Sequence, residues 1–180
     1  MDDPGDSNQV SNALSHFVES GTVALTLADF TQDDCPLVVA NDAFCALCGY
    51  AREEVVGRNC RFLQPAEGAG PVRARMRSFL LDASQADAKF VIPNVRKNGE
   101  PFLNLVYMTK LKRRGRIAFV LGSQFEVGGD SKQMAGLYDR ALAEDLRQLN
   151  ILMSEYNYTV LGSFDALASS HAIIAQARMG

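Results

Sequence analysis

Within residues 57–64 the sequence places a thiol, a guanidinium and two side-chain amides next to one another. Cys60 offers a soft nucleophile, Arg61 offers a planar cation, and the amides of Asn59 and Gln64 offer paired donors and acceptors. Such a set suits a planar ring that is rich in heteroatoms and carries an anionic tail. The stretch therefore predicts a small-molecule site in which a thiol lies beside the ligand.

The composition provides enough apolar residues for a core and only a weak net charge. Of the 180 residues, 47% are hydrophobic, and the formal net charge at pH 7 is -3. This weakly acidic balance argues against a nucleic-acid partner. No run approaches the roughly 18 apolar residues that span a bilayer. Residues 1–6 are acidic and polar, unlike a signal peptide, so we expect a cytoplasmic protein with reduced thiols.

The cysteines outside this stretch favour packing over metal chemistry. Cys45 and Cys48 have the C-x-x-C spacing of zinc and redox sites, but no second pair follows to complete a set of zinc ligands. Buried free cysteines usually behave as small apolar residues. We therefore expect Cys45 and Cys48 to be apolar residues of a short helix, and we predict no metal site.

The central part of the chain predicts five strands, with a block of short helices between the second and the third. The predicted strands are 23–27, 37–40, 88–95, 102–112 and 117–127. The predicted helices of the block are 42–47, 52–56 and 71–81. Pro93 lacks a backbone donor, so the third strand should lie at an edge or contain a bulge. This order indicates an α+β domain with an antiparallel sheet.

Segments on both sides of this core complete the predicted domain organisation. Residues 1–9 are expected to be disordered and 10–19 to form a short amphipathic helix. Residues 1–21 would then be a tail and a helix that caps the sheet, 22–127 the core, and 128–180 a C-terminal extension.

The C-terminal extension is predicted to contain two helices, over 131–156 and 164–178. Apolar residues recur along the first of them at steps of four and three, as in a short heptad pattern. They are Leu142, Leu146, Leu149, Met153 and Tyr156. Such a stripe either forms a homodimer surface or packs on the protein's own sheet.

Residues 57–64 closely resemble the signature of LOV domains, the blue-light-sensing branch of the PAS family. Residues 41–44 and the pair Gly49-Tyr50 match the family as well, and the resemblance covers about residues 22–127. It implies a five-stranded antiparallel sheet in the order 2-1-5-4-3, with short helices that form a flavin pocket. It also implies flavin mononucleotide (FMN) as the cofactor.

The resemblance assigns the covalent chemistry and the phosphate contacts to particular residues. Cys60 matches the cysteine that bonds reversibly to carbon 4a of the light-excited flavin. Arg61 and Arg77 match the two arginines that hold the phosphate, for which a guanidinium is well suited. Whether Arg73 or Arg75 adds a third phosphate contact stays open.

The polar contacts to the ring also follow from the resemblance. Asn59 and Gln64 match residues beside the ring and the ribityl chain, and Asn94 and Asn104 match the asparagines at the pyrimidine edge. Gln124 matches the glutamine that faces ring nitrogen N5. A primary amide can exchange donor for acceptor by turning over, so Gln124 can respond when N5 gains a proton.

These matches predict a blue-light photoreceptor rather than an enzyme. The signal would pass from Gln124 through the last strand to the flanking helices and alter self-association of a homodimer. Two alternatives stay open. The chain could be a flavin oxidoreductase or redox protein, although no dinucleotide fingerprint is present, or a PAS module that binds a flavin or another ligand without photochemistry.

Overall fold

The computed structural model describes residues 4–128, 131–156 and 158–160, with side chains for 11–128 and 134–156. Its helices are α1 (Pro4–Ser20), α2 (Asp42–Cys48), α3 (Arg52–Val55), α4 (Pro71–Leu81) and α5 (Ser131–Ser154), together with a 3-10 helix over Cys60–Leu63. Its strands are β1 (Ala24–Asp29), β2 (Leu37–Ala40), β3 (Asp87–Val95), β4 (Pro101–Arg113), β5 (Arg116–Glu126) and β6 (Tyr158–Val160).

One antiparallel sheet organises the fold, and its order is β2-β1-β5-β4-β3, as the resemblance implied. The strand that contains Pro93 lies at the edge, so the missing donor costs no interior hydrogen bond. The sixth strand, β6, pairs antiparallel with β4 at Leu111–Arg113, beyond the last residue that β3 covers. The predicted α+β fold with an antiparallel sheet in this order is confirmed.

The two faces of the sheet have different neighbours because successive residues of a strand point in opposite directions. On one face, β1, β3, β4 and β5 turn a mixture of polar, small and apolar side chains toward α4 and the 3-10 helix, and α4 packs there against Phe90, Ile92 and Val106. On the other face, α1 and α5 pack against a continuous apolar layer. The sheet residues of that layer are Leu25, Leu27, Val39, Leu105, Tyr107, Leu111 and Leu121.

The apolar stripe of α5 packs on the chain's own sheet. Leu142, Leu146, Leu149 and Met153 are buried in the same cluster as Leu14 of α1. Of the two alternatives for the stripe, a homodimer surface or packing on the sheet, the structure shows packing on the sheet. These residues are therefore not free to form a homodimer surface while α5 stays docked.

Two further boundaries differ from the sequence expectations. Helix α1 begins at Pro4, so the disorder expected over residues 1–9 is wrong from residue 4 onward; proline is favoured in the first turn, where its missing N–H needs no partner. Strand β6 occupies part of a predicted connection, and its residues Tyr158, Thr159 and Val160 all favour strands.

The predicted helix over 164–178 lies outside the described residues. Among the helices that the structure describes, none combines the length and apolar character that crossing a membrane requires.

Candidate functional site

A cavity of about 540 Å³ lies between α4, the 3-10 helix and the face of the sheet that they cover. Its size falls in the range of small-molecule sites. All the side chains predicted from the sequence for the site line it: Asn59, Cys60, Arg61, Gln64, Arg77, Asn94, Asn104 and Gln124. Residues that are up to 65 positions apart in the chain, from Asn59 to Gln124, thus meet at one site.

Cys60 opens the 3-10 helix at one side of the cavity. Asn59 caps this helix, because its Oδ1 accepts a hydrogen bond of 3.0 Å from the backbone N–H of Arg61. Cys60 packs against an apolar cluster, and burial raises the pKa of its thiol to about 12, helped by the nearby Cys48 and Cys35 thiols. Cys60 therefore keeps its proton at neutral pH.

Two buried asparagines form a polar patch on the neighbouring strands β3 and β4. Asn104 Nδ2 donates to Asn94 Oδ1 over 2.9 Å, and Asn94 Nδ2 donates to the carbonyl of Pro93 over 2.8 Å. Asn104 Oδ1 has no partner among the described residues. An unpaired buried acceptor costs about 1–3 kcal/mol, so this oxygen calls for a donor from a ligand.

Gln124 provides a second buried amide with an open acceptor. Its Nε2 donates to Thr26 Oγ1 over 3.2 Å, while its Oε1 has no partner in the described part of the chain. Between these two residues lies Gly122, where a Cβ would come within 2.8 Å of Thr26 Oγ1 and 3.1 Å of Gln124 Nε2. A glycine at this position keeps the floor of the cavity flat beneath a planar ligand.

Arginines of α4 give the lining of the cavity a basic end. Arg73 and Arg77 lie one turn apart on α4, together with Met76 and Leu80 on the same side of the helix. Arg75 points elsewhere and does not line the cavity, so Arg73 is the better candidate for a third contact to an anion. Within the part of the chain that the structure describes, neither Arg73 nor Arg77 takes part in an ion pair.

Arg61 joins this basic end from the 3-10 helix, but it already has a partner. Its Nη2 forms an ion pair with Asp34 Oδ1, and Asp34 belongs to the loop between β1 and β2. Both side chains are partly open to solvent. The basic end thus combines three arginines, Arg61, Arg73 and Arg77, with one carboxylate.

Helix α4 is held on the sheet by a buried lysine that the sequence analysis missed. Lys110 Nζ donates to the carbonyls of Phe79, Asp82 and Gln85 over 2.5, 2.6 and 3.0 Å. These acceptors lie at the end of α4 and in the loop that follows. Since α4 also carries Arg73, this contact fixes the side of the cavity where the cations lie.

Thr26, Asp34 and Cys35 also line the cavity and were missed, and of these three only Thr26 had a signal in the sequence. Thr26 alternates with Ala24 and Ala28 on β1, so a face of small residues was readable there. Asp34 and Cys35 lie in a loop with no pattern of its own, and they reach the cavity through contacts with residues 57–61.

These residues fit a flavin mononucleotide. The open oxygens of Asn104 and Gln124 and the nearby amides suit the heteroatoms of its ring, and Gly122 leaves room for a flat ring. The arginines suit its phosphate. The thiol of Cys60 lies in the same cavity.

The sequence profile of the PAS domain family matches residues 23–127. The crystal structure of a LOV protein from Rhodobacter sphaeroides superimposes with a TM-score of 0.79 and 28% identity, over 100% of both chains. This chain is a LOV protein of the PAS family.

Relatives of this LOV protein carry light-related names. Blue-light-activated histidine kinase 1 of Erythrobacter litoralis (strain HTCC2594) is 41% identical over 108 residues, which are 58% of this chain and 29% of that protein. Phototropin-2 of Oryza sativa subsp. japonica is 35% identical over 137 residues, which are 74% of this chain and 14% of that protein. The matched part is therefore a minor fraction of each relative.

Proposed function

We propose that this LOV protein is a blue-light photoreceptor that holds FMN in the cavity and reacts with it reversibly through Cys60. The observation that carries the proposal is one cavity that joins a protonated thiol, open buried amide oxygens and three arginines. The names of the two relatives, one of which is a blue-light-activated kinase, support it. The role is sensory rather than enzymatic.

Each residue has a distinct task in this proposal. Arg61 and Arg77 hold the phosphate, with Arg73 as a third cation, and the amides of Asn94 and Asn104 orient the ring. When bound, the flavin supplies the absorption of blue light and the ring carbon to which sulfur bonds. Cys60 supplies the sulfur and a proton, and burial keeps that proton in place until light arrives.

Asn59 and Gln64 complete the binding site in this proposal. Gln64 lines the cavity and follows the 3-10 helix, so its amide is available to the tail of the flavin. Asn59 lines the cavity too, but both ends of its amide already hold the protein backbone, at Arg61 N–H and at the carbonyl of Asp34. Its main task is therefore to shape the turn around Cys60.

Gln124 carries the signal out of the cavity in this proposal. Its amide donates to Thr26 through one end and leaves the other end open. In this orientation the open oxygen would accept from a ring nitrogen that carries a proton, whereas an unprotonated ring nitrogen would favour the opposite orientation, so a change in its protonation would turn the amide over. Because Gln124 is part of β5, the change reaches the face of the sheet on which α5 packs.

The test is an absorption spectrum of the purified chain before and after a blue flash, followed in darkness. A structured flavin band that bleaches and slowly returns is expected, and Cys60→Ala should keep the flavin but abolish the bleaching. A bound flavin that never bleaches would favour a redox protein. No flavin, even after reconstitution with FMN, would leave a PAS module for another ligand.

We further propose that the protein forms homodimers whose assembly responds to light. The α5 stripe is occupied by the sheet, so the contact would use exposed apolar residues such as Met134, Leu137 and Ile151. Light scattering on the same sample in darkness and in light measures this. An identical mass and shape in darkness and in light would contradict a light-dependent change in assembly.

A further inference from the structure

We propose that Asp34 is a positioning residue, which locks the turn around Cys60 and holds Arg61 ready for the cofactor phosphate. The inference rests on the proposed function, since it concerns how well the cavity takes FMN. It assigns a task to a loop residue that no motif of the sequence singles out.

A ring of three contacts ties Asp34 to both neighbours of Cys60. Asn59 Nδ2 donates to the backbone carbonyl of Asp34 over 2.6 Å, and Asn59 Oδ1 accepts from the backbone N–H of Arg61 over 3.0 Å. The ion pair between Arg61 and the Asp34 carboxylate closes the ring. Cys60 lies between the two residues that the ring holds.

The backbone of the loop is shaped to make this ring. Asp34 has φ of 67° and the following Cys35 has φ of 47°, and both values lie in the left-handed region, which aspartate tolerates better than most residues but which costs energy at Cys35. Such a conformation persists only where surrounding contacts impose it. Here Leu37 N–H donates to the carbonyl of Arg58 over 2.9 Å, which fastens the end of the loop to the segment before Cys60.

The carboxylate of Asp34 also limits where the Arg61 side chain can go. That side chain is 46% exposed, so a guanidinium without a partner would sample many rotamers. A contact through one nitrogen of the guanidinium leaves its other N–H groups free for a phosphate. Ordering the side chain before the ligand arrives reduces the entropy lost on binding, and this favours the ligand that uses the cation.

The proposal therefore concerns discrimination between two flavins. FMN carries the phosphate and riboflavin does not, so only FMN benefits from an ordered Arg61. With Asp34→Asn we expect FMN to bind about 3- to 10-fold more weakly, the loss typical of one disordered side chain at a binding site. Riboflavin affinity should change by less than about 2-fold.

The experiment titrates the full chain, stripped of flavin, with FMN and with riboflavin, and follows quenching of flavin fluorescence. Asparagine tolerates the left-handed backbone better than most residues, so Asp34→Asn removes the charge without imposing strain. Asp34→Gly, which accepts this backbone freely, is a second variant in case the first does not fold. Asp33→Asn is the matched control, since Asp33 is an exposed neighbouring acid that forms no ion pair with Arg61 in the described part of the chain.

Selective loss of FMN affinity in the Asp34 variants, with Asp33→Asn unchanged, is the expected result. Equal weakening for both flavins would reduce Asp34 to a general support of the loop and overturn the proposal. Unchanged or tighter FMN binding would overturn it as well, and tighter binding would mean that the carboxylate repels the phosphate. If the unmodified chain binds neither flavin, the proposed function fails, and this inference fails with it.

Discussion

Among the residues that the structure describes, Asn104 is one of three buried side chains with a polar atom that lacks a partner, together with Thr109 and Gln124. It is 1% exposed, it donates to Asn94, and its own oxygen has no partner in the described part of the chain. A ligand that donates to this oxygen gains a hydrogen bond and also relieves the cost of leaving the acceptor unpaired. The affinity for the cofactor should therefore depend strongly on this one amide.

Asn104→Leu should lower the affinity for FMN by about tenfold or more, which corresponds to the roughly 1–3 kcal/mol of a buried polar contact. Fluorescence titration measures the change. Leu103→Ala is the control, because Leu103 is the adjacent residue of β4, is 39% exposed and does not line the cavity. An affinity that is the same in Asn104→Leu as in the parent would exclude a direct contact between this amide and the ring.

Residues 59–64 could be predicted from the sequence because they form one contiguous motif. Asn104 and Gln124 lie far from that motif in the chain, and only the resemblance assigned them to the site. Asp34 and Lys110 could not be predicted, because their partners are distant in the chain. A lysine in a strand is expected to reach solvent, but here the carbonyls of Phe79, Asp82 and Gln85 and the ring of Phe79 make a buried one favourable.

Strand β5 separates two environments and contacts both. Gln124 faces the cavity, while the adjacent Ser123 and Phe125 face α5. Ser123 Oγ lies 2.9 Å from the hydroxyl of Tyr138, and the rings of Phe125 and Tyr138 stack with centroids 4.9 Å apart. Tyr138 of α5 is thus the direct neighbour of the residues on both sides of Gln124.

Tyr138→Phe should leave flavin binding and bleaching intact but weaken the response of the helices to light. The change removes the hydroxyl contact and keeps the stacked ring, and we expect a loss of about 1 kcal/mol in the free energy of unfolding. Urea unfolding measures the stability, and the light-minus-dark far-ultraviolet circular dichroism measures the helical response.

Tyr156→Phe is the control for the tyrosine substitution, since Tyr156 packs against the same apolar cluster but makes no side-chain hydrogen bond with the described residues. A full helical response in Tyr138→Phe would mean that the signal leaves β5 by another contact. A reduced response in both variants would point to a general weakening of the α5 packing.

At the scale of the whole molecule, a buried acid of α5, Asp145, contacts the segment that precedes β1. Asp145 is 6% exposed, and Thr22 Oγ1 donates to its Oδ2 over 3.4 Å. Burial raises the pKa of the Asp145 carboxyl, an effect that hydrogen bonds from Thr22 only partly offset. The folded protein therefore binds this proton more tightly than the unfolded chain does.

The raised pKa of Asp145 determines how the stability of the fold changes with pH. Above the unfolded pKa of about 3.9, stability falls as pH rises through the higher folded pKa, because the buried carboxyl must lose its proton. Asp145→Asn removes that cost, so the variant should melt at a higher temperature than the parent at pH 7, and the difference should shrink toward pH 4. Thermal unfolding across this range measures it.

Glu155→Gln is the matched control for the pH dependence, since Glu155 is an exposed acid near the end of the same helix. It should change the melting temperature little at any pH in the series. If the melting temperature of Asp145→Asn rises further above that of the parent as the pH falls, the Asp145 carboxylate stabilises the fold, contrary to this account.

The open oxygens of Asn104 and Gln124 have a consequence for the amount of protein that a cell maintains. A ligand that binds only the folded state stabilises it by mass action, by about 2.7 kcal/mol at a hundredfold excess over Kd. If flavin binds as proposed, it would therefore help to hold this chain folded. Chains made when flavin is scarce would unfold more often and be degraded sooner. We therefore expect sensitivity to light to follow the nutritional state of the cell, because the number of receptors follows its supply of flavin.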